Sequence, residues 1–190
     1  MIVDDKVFEF IYTIAMRDAT LQQAFDLTKS GLTKKSDLLN CTAAKKYVRK
    51  YIDDIIAGKN SSFDTVEKDV ETAFGQFIPG KNFTFGNCQK LINMTVKYFY
   101  IVTYSDPAIR SHFNDCHCPM DNVMIKTVKR ELKNKKPLKD FKITSEELSK
   151  SWSKIMQGNT SQYDAFQEIV KYLAQKQGVS PIEYDYLMWK

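Results

Sequence analysis

Residues 90–104 read Lys-Leu-Ile-Asn-Met-Thr-Val-Lys-Tyr-Phe-Tyr-Ile-Val-Thr-Tyr, and this stretch constrains the fold more than any other. Wound at about 100° per residue, Leu91, Ile92, Met94, Val96, Tyr98, Phe99, Ile101 and Val102 occupy most of the helix circumference. Lys90, Asn93, Lys97, Tyr100 and Tyr104 are left as one narrow stripe. A helix that is apolar nearly all round is a buried helix. Two lysines and an asparagine on it must then reach anions, a wet cleft or a ligand, because an unpaired buried charge is too costly to keep. The alternative is that the stripe is the helix's one solvated face, and the sequence leaves both readings open.

Apolar recurrence makes the rest of the chain helical too. Helices are predicted at about 4–17, 19–30, 42–58, 62–75, 86–104, 106–114, 122–133, 145–156, 160–177 and 181–189, with loops at 30–41, 76–85 and 134–144. No segment sustains two-residue alternation and no internal repeat occurs. The expected fold class is therefore all-α, a compact multi-helix protein with residues 1–190 in one domain. With 190 residues, 43% hydrophobic and 27% charged, the chain can build one substantial core or two small lobes around a groove. The candidate lobes are 1–76 with the C-terminal helices, and 77–144.

No apolar run is long enough to span a bilayer, and Met1-Ile2-Val3-Asp4-Asp5 has the wrong charge for a secretory signal, so no membrane partner and a cytoplasmic address are expected. Cys41, Cys88, Cys116 and Cys118 lack a paired framework spacing, which predicts reduced thiols. The net charge of +5 is uneven. Lys126, Lys129, Arg130, Lys133, Lys135, Lys136, Lys139 and Lys142 face only Glu131 and Asp140 over the same span. Such a segment attracts a polyanion such as nucleic acid, or is simply a solvated lysine-rich turn.

Asp121 is the best-placed carboxylate. Pro119 and Met120 lead into it, and Val123, Met124, Thr127, Val128 and Leu132 then recur at near-helical spacing, so Asp121 is predicted to cap a helix running to about Lys133. A cap aspartate accepts backbone N–H groups at the positive end of the helix dipole, which keeps it ionised and fixed in orientation. That arrangement can stabilise a developing cation or orient a water, and it is equally a good structural cap. Several other chemistries are excluded. Gly86-Asn87-Cys88-Gln89-Lys90 lacks the second glycine and the hydroxyl residue of a phosphate loop. The His-x-Glu and Pro-Cys-x-x-Cys pattern of zinc deaminases is absent, and a hydrolase triad finds no partner set. Cys116-His117-Cys118 is too tight a run to wrap one zinc, and only Cys41, Cys88 or His112 could complete the site, so no metal is expected.

An all-helical chain with a glycine-led helix carrying Lys90, a proline-preceded Asp121 at the start of a later helix and basic residues beyond it resembles the helix-hairpin-helix DNA glycosylases. In that family a Pro-Gly hairpin grips DNA phosphate through backbone N–H groups, a lysine can follow the hairpin glycine, and a catalytic aspartate caps a later helix in a segment similar to Pro-Val-Asp-x-x-Val. Ile78-Pro79-Gly80 with Gly86 through Lys90 looks like a stretched hairpin, and Pro119-Met120-Asp121-Asn122-Val123 with Lys126 and Arg130 looks like the aspartate segment. The resemblance covers about residues 77–133. It implies a helix-hairpin-helix glycosylase-like fold and excision of a damaged or modified base by N-glycosidic hydrolysis.

The site residues follow from that resemblance and from the helix stripe. Asp121, Lys90 and Asn93 are the catalytic candidates, with water favoured over Lys90 as the attacking group. Phe99, Tyr100, Tyr104 and Trp152 are candidate walls of a base pocket, although aromatics at helical spacing also build cores. Gly80, Gly86, Lys97, Lys126, Lys129, Arg130 and Lys133 are the expected DNA contacts. The four-cysteine iron–sulfur motif of some members is missing, so no cofactor is expected. The expected partner is DNA, including phage DNA with modified bases if the protein serves in defence, and a monomer is expected. Two other readings need less: a non-catalytic helical module binding nucleic acid or an acidic protein through 126–142, or an interaction protein docking its C-terminal helix 182–189 on a partner. The glycosylase reading requires Asp121 to stand in a groove with Lys90 or Asn93, while the others are indifferent to where Asp121 points.

Overall fold

The apolar stretch becomes helix α4 (Phe85–Val102), and every element around it is arranged to cover it. The structure is a computed structural model, described for residues 3–78, 83–133, 141, 148, 151–156 and 158–189. Helices α1 (Asp5–Ala19), α2 (Thr42–Ile56) and α3 (Phe63–Phe77) precede α4. Helices α5 (Pro107–Ser111), α6 (Asn122–Lys133), α7 (Ser161–Gln177) and α8 (Pro181–Met188) follow it. Short 3-10 turns occupy Gln22–Ala24, Leu27–Lys29, Lys35–Asn40 and Trp152–Lys154. Among the described residues there is no strand, so the chain is all-helical, and no helix is long and apolar enough to cross a membrane.

Helix α4 packs against α1, α2, α3, α8 and the Trp152–Lys154 turn. Helices α2 and α3 pack on each other, as do α7 and α8, and α6 rests on α8. Buried apolar side chains from all of these helices belong to one contiguous cluster. Helix α8 contributes Ile182 and Tyr184 to that core, so the C-terminal helix closes the chain's own interior.

Local chemistry sets the helix starts. Asp4 accepts the N–H groups of Lys6 and Val7 at the head of α1, Asp106 those of Ala108 and Ile109 at α5, and Ser180 that of Glu183 at α8, where Pro181 supplies a pre-set first turn. At α4, Thr84 Oγ1 accepts from Asn87 N–H while Asn87 Oδ1 accepts from Thr84 N–H, a reciprocal capping box.

Two expected helices differ. The predicted helix 19–30 is instead a pair of 3-10 turns. Asn87, fully buried at the start of α4, donates to the carbonyls of both Ala19 and Ala24, at 2.7 and 2.9 Å, and so claims acceptors that a continuing α-helix would use. Asp26 then starts a fresh turn by accepting the N–H and hydroxyl of Thr28. Of the predicted helix 145–156, residues 145–147, 149 and 150 lie outside the described residues, and 151–156 hold the 3-10 turn Trp152–Lys154 in place of an α-helix. The Pro79-Gly80 turn also lies outside the described residues, as does all of the loop 134–144 except Phe141.

The Trp152–Lys154 turn is pinned to the head of α4. Gly86 N–H donates to Ile155 O at 3.0 Å and Thr84 Oγ1 donates to Ser153 O at 2.8 Å. A Cβ at Gly86 would stand 1.9 Å from Trp152 O, so only glycine permits this approach. Gly86→Ala should therefore cost about 3 kcal/mol in urea unfolding, because rigid backbone must move. Gly75→Ala, in α3 with open space around its Cβ, should add roughly 0.5–1 kcal/mol through helix propensity. Equal effects at the two sites would mean that the turn does not dock as described.

Candidate functional site

Asp121 is built into the molecule from three directions. As the cap of α6, its Oδ1 accepts Val123 N–H at 2.9 Å and Met124 N–H at 2.8 Å, and its carbonyl accepts Ile125 N–H. Its Oδ2 takes the Lys90 ammonium at 2.6 Å. The residues leading into it, Cys118 through Met120, are clamped by two buried glutamine amides. Gln167 of α7 accepts from Cys118 N–H at 3.0 Å and donates to Cys118 O at 2.7 Å. Gln89 of α4 accepts from Met120 N–H at 3.2 Å and donates to Met120 O at 3.0 Å.

The polar stripe of α4 is thus not a solvated face: Lys90, Asn93, Lys97 and Tyr100 are 5%, 1%, 3% and 1% exposed. Each lysine has found an anion. Lys90 pairs with Asp121 and lies 5.9 Å from the centre of the Trp152 ring; Lys97 pairs with Asp185 of α8 at 2.8 Å and lies 4.7 Å from that of Trp189.

The two carboxylates nevertheless titrate in opposite directions. Burial pushes both up. At Asp121 the charge and hydrogen bond of Lys90, the Met124 N–H and the field of Lys97 outweigh it and hold the carboxyl below its usual range. At Asp185 burial outweighs the charge and hydrogen bond of Lys97, and Asp121 adds repulsion, so the pKa is raised. Helix capping separates the two: Asp121 sits at a helix N-terminus with free donors, whereas Asp185 lies inside α8, where the backbone donors are committed.

Asn93 enters a different network from the one expected. Its Nδ2 donates to Tyr163 Oη at 2.9 Å and to Gln89 Oε1 at 3.3 Å, so both of its amide donor hydrogens are committed to the clamp rather than to Asp121. Tyr163 in turn meets His117 Nδ1 at 2.9 Å. Burial lowers the His117 pKa, and Lys171 of α7 adds to this, against the opposing pull of Asp64 of α3 and Asp164 of α7. Tyr163 Oη already accepts from Asn93 Nδ2, which leaves its own proton for Nδ1 of the neutral ring.

Three further expectations are corrected. Phe99 stacks on Phe8, and Tyr100 packs edge-on against Phe113, Tyr104 and Tyr186; they lie about 14–15 Å along α4 from Lys90 and belong to the core. Tyr104 packs with Tyr186 and under Arg110 beyond the same end of the helix, so of the four proposed pocket aromatics only Trp152 stands with Lys90. Lys97 is consumed by Asp185 and Gly86 N–H by Ile155 O, which removes both as phosphate donors.

On α6, Lys126 and Arg130 are exposed and Lys129 is half-buried, while the Lys133 side chain and Gly80 lie outside the described residues. All four cysteines are buried and unpaired. Burial pushes Cys116 up to about 12 and Cys88 and Cys118 well above the ordinary thiol range, so none is poised as a thiolate. Among the described residues no three His, Cys, Asp or Glu side chains gather as metal ligands.

Gln89, Gln167, Asp185 and Tyr163 were not singled out in the sequence. Gln89 carried one faint signal, an amide on a helix with almost no polar face. Comparison of the chain with protein-family models, characterised proteins and solved structures finds no match.

The neutral His117 gives a pH dependence. Below about pH 6.5 the unfolded chain binds a proton that the folded ring resists, so stability is full above that pH and falls as the pH drops through the window beneath it. His117→Gln should flatten the loss of unfolding free energy between pH 7.5 and 5.5. An unchanged slope would show that His117 is already solvated in the folded protein.

Proposed function

We propose that the protein is a DNA glycosylase of the helix-hairpin-helix kind, removing a damaged or modified base by hydrolysis of the N-glycosidic bond. The observation that carries this reading is the pairing of Asp121 with Lys90 at 2.6 Å, a carboxylate fixed at a helix start beside a buried lysine and an indole ring. Those residues come from the two segments on which the resemblance rests. The stretched hairpin and the two lobes around a groove remain part of the proposal.

The chemistry suits the residues. Breaking the C1′–N bond sends its electron pair out with the base and leaves cationic character on the sugar, which an ionised, oriented Asp121 stabilises. Asp121 is held below its usual pKa and keeps that charge well into the acid range. The same property makes it a weak base for stripping the Lys90 ammonium, which favours water as the group that adds to the sugar carbon. The product is then an abasic site. Trp152, beside Lys90, offers an aromatic surface for a base taken out of the stack. Lys126, Lys129 and Arg130 follow Asp121 on α6 and present positive charge for phosphate. Defence against phage carrying modified DNA would suit a small enzyme of this kind.

The test is to incubate the protein with unmodified, alkylated, deaminated and phage-type modified DNA and to score abasic sites. Asp121→Asn should still accept the cap N–H groups at Oδ1, but its amide nitrogen then meets the Lys90 ammonium donor to donor, so it should lose about 3 kcal/mol of stability, bind DNA normally and release base about a hundredfold more slowly. Release at the wild-type rate would end the mechanism. Borohydride trapping of a protein–DNA adduct that disappears in Lys90→Ala would replace water by the lysine as nucleophile.

A second reading, a non-catalytic nucleic-acid-binding module, is favoured by the exposed basic residues of α6 alone. Both readings expect that changing Lys126, Lys129, Arg130 and Lys133 together to Ala lowers the slope of log affinity against log salt by about 3–4, similarly for all sequences. An unchanged slope would remove α6 from the DNA surface.

A further inference from the structure

We infer that Gln89 is the positioning residue of this site. Its side chain sets the orientation of the Asp121 carboxylate by holding the backbone of Met120, one residue before it. Gln89 is fully buried and its amide is saturated. Oε1 accepts from Met120 N–H and from Asn93 Nδ2, and Nε2 donates to Met120 O and Gly86 O. A glutamine amide has two donor hydrogens and two acceptor lone pairs, and all four are spent. The two bonds to Met120 also fix which way the amide faces, since only the oxygen can meet an N–H and only the nitrogen a carbonyl.

Adjacency explains why this residue governs Asp121. Gln89 and Lys90 are neighbours on one turn of α4, so a single rigid element presents the cation to the carboxylate and the amide to the backbone that carries it. The Lys90–Asp121 separation is then set by α4 itself. Gln167 makes an equivalent two-bond clamp, but at Cys118 and from α7, with Pro119 and Met120 between it and the carboxylate. Asn93 steadies the Gln89 amide and is itself held by Tyr163, which ties the clamp to the core.

The positioning claim predicts a difference that a merely structural glutamine would not produce. In Gln89→Asn the amide is one methylene short and cannot hold both Met120 atoms, whereas Gln167→Asn shortens the matched clamp further from the site. Asp121 is read directly by carboxyl-carbon NMR titration, its resonance assigned by its loss in Asp121→Asn, and the Met120 amide by native-state hydrogen exchange.

Wild-type protein should show a depressed Asp121 midpoint and a Met120 amide protected like the core of α4. Gln89→Asn should raise the midpoint by about half a unit or more and speed Met120 exchange at least tenfold. Gln167→Asn should leave both near wild type whatever it costs in stability. Because the role rests on the proposed site, base release is measured alongside: Gln89→Asn should lower kcat with DNA affinity kept. If wild-type protein releases no base, the glycosylase reading fails while titration and exchange still decide the positioning role. If the Asp121 midpoint does not move in Gln89→Asn, or moves equally in Gln167→Asn, the positioning role is overturned. Should Gln89→Asn not fold, rapid exchange of Met120 N–H in the wild-type protein would overturn it, and core-like protection would support it.

Discussion

A helix enclosed on all sides has no water in which to leave a charge, and α4 carries two lysines, two asparagines and a glutamine into such an enclosure. The requirement to satisfy each of them organises much of the molecule around it. Asn87 draws the end of α1 and the following turn onto the head of α4, and Gln89 and Lys90 draw in the segment before α6. Asn93 meets α7 through Tyr163, and Lys97 meets α8 through Asp185. Apolar contact supplies the bulk of the driving force, but it is non-directional. The polar residues of α4 specify which surface docks where.

The two lysine–aspartate pairs show how much context governs one chemical motif. Both lysines are buried and lie near an indole ring, and yet burial dominates at Asp185, whose side chain is 3% exposed, while attraction dominates at Asp121, whose side chain is 18% exposed. The difference is the helix start together with this lesser enclosure. Two backbone N–H groups aimed at Oδ1 and an ammonium at Oδ2 give Asp121 three donors, enough to offset desolvation; Asp185 has the one ammonium of Lys97. An anion inside a protein is held most readily at a helix N-terminus, and of the two carboxylates it is Asp121 that keeps its charge most readily.

Rigidity is the second property of the site. Backbone clamps at Cys118 and Met120, a cap at Asp121 and the Tyr163 hydroxyl at His117 restrain consecutive parts of one short segment from three helices. Unclamped, this irregular stretch would leave buried backbone groups unpaired, a cost that glutamine side chains remove here in place of a sheet or helix. The same bonds hold a carboxylate still, and charge stabilisation in a transition state depends on dipoles and charges that need not reorganise.

The helical character of the chain, the burial of α4, the cap at Asp121 and the exposed basic residues of α6 were legible in the sequence, because each depends on spacing or on neighbours within a turn. The sequence also placed Lys90 and Lys97 on the one polar stripe of that helix, but left open whether the stripe is solvated or buried against anions, a wet cleft or a ligand. Which carboxylate answers which lysine was not legible: Asp121 and Asp185 lie 31 and 88 residues from their partners, and nothing local distinguishes them. The same limit misplaced Phe99, Tyr100 and Tyr104, whose helical spacing is shared by core and pocket walls, and it hid Gln89, whose importance arises only when Met120 arrives opposite it. The sequence by itself determined that α4 carries one narrow polar stripe on an otherwise apolar circumference and that Asp121 begins a helix. Tertiary structure alone decided that these two facts meet in one ion pair, because pairing across the fold depends on where helices pack, and packing depends on the whole chain.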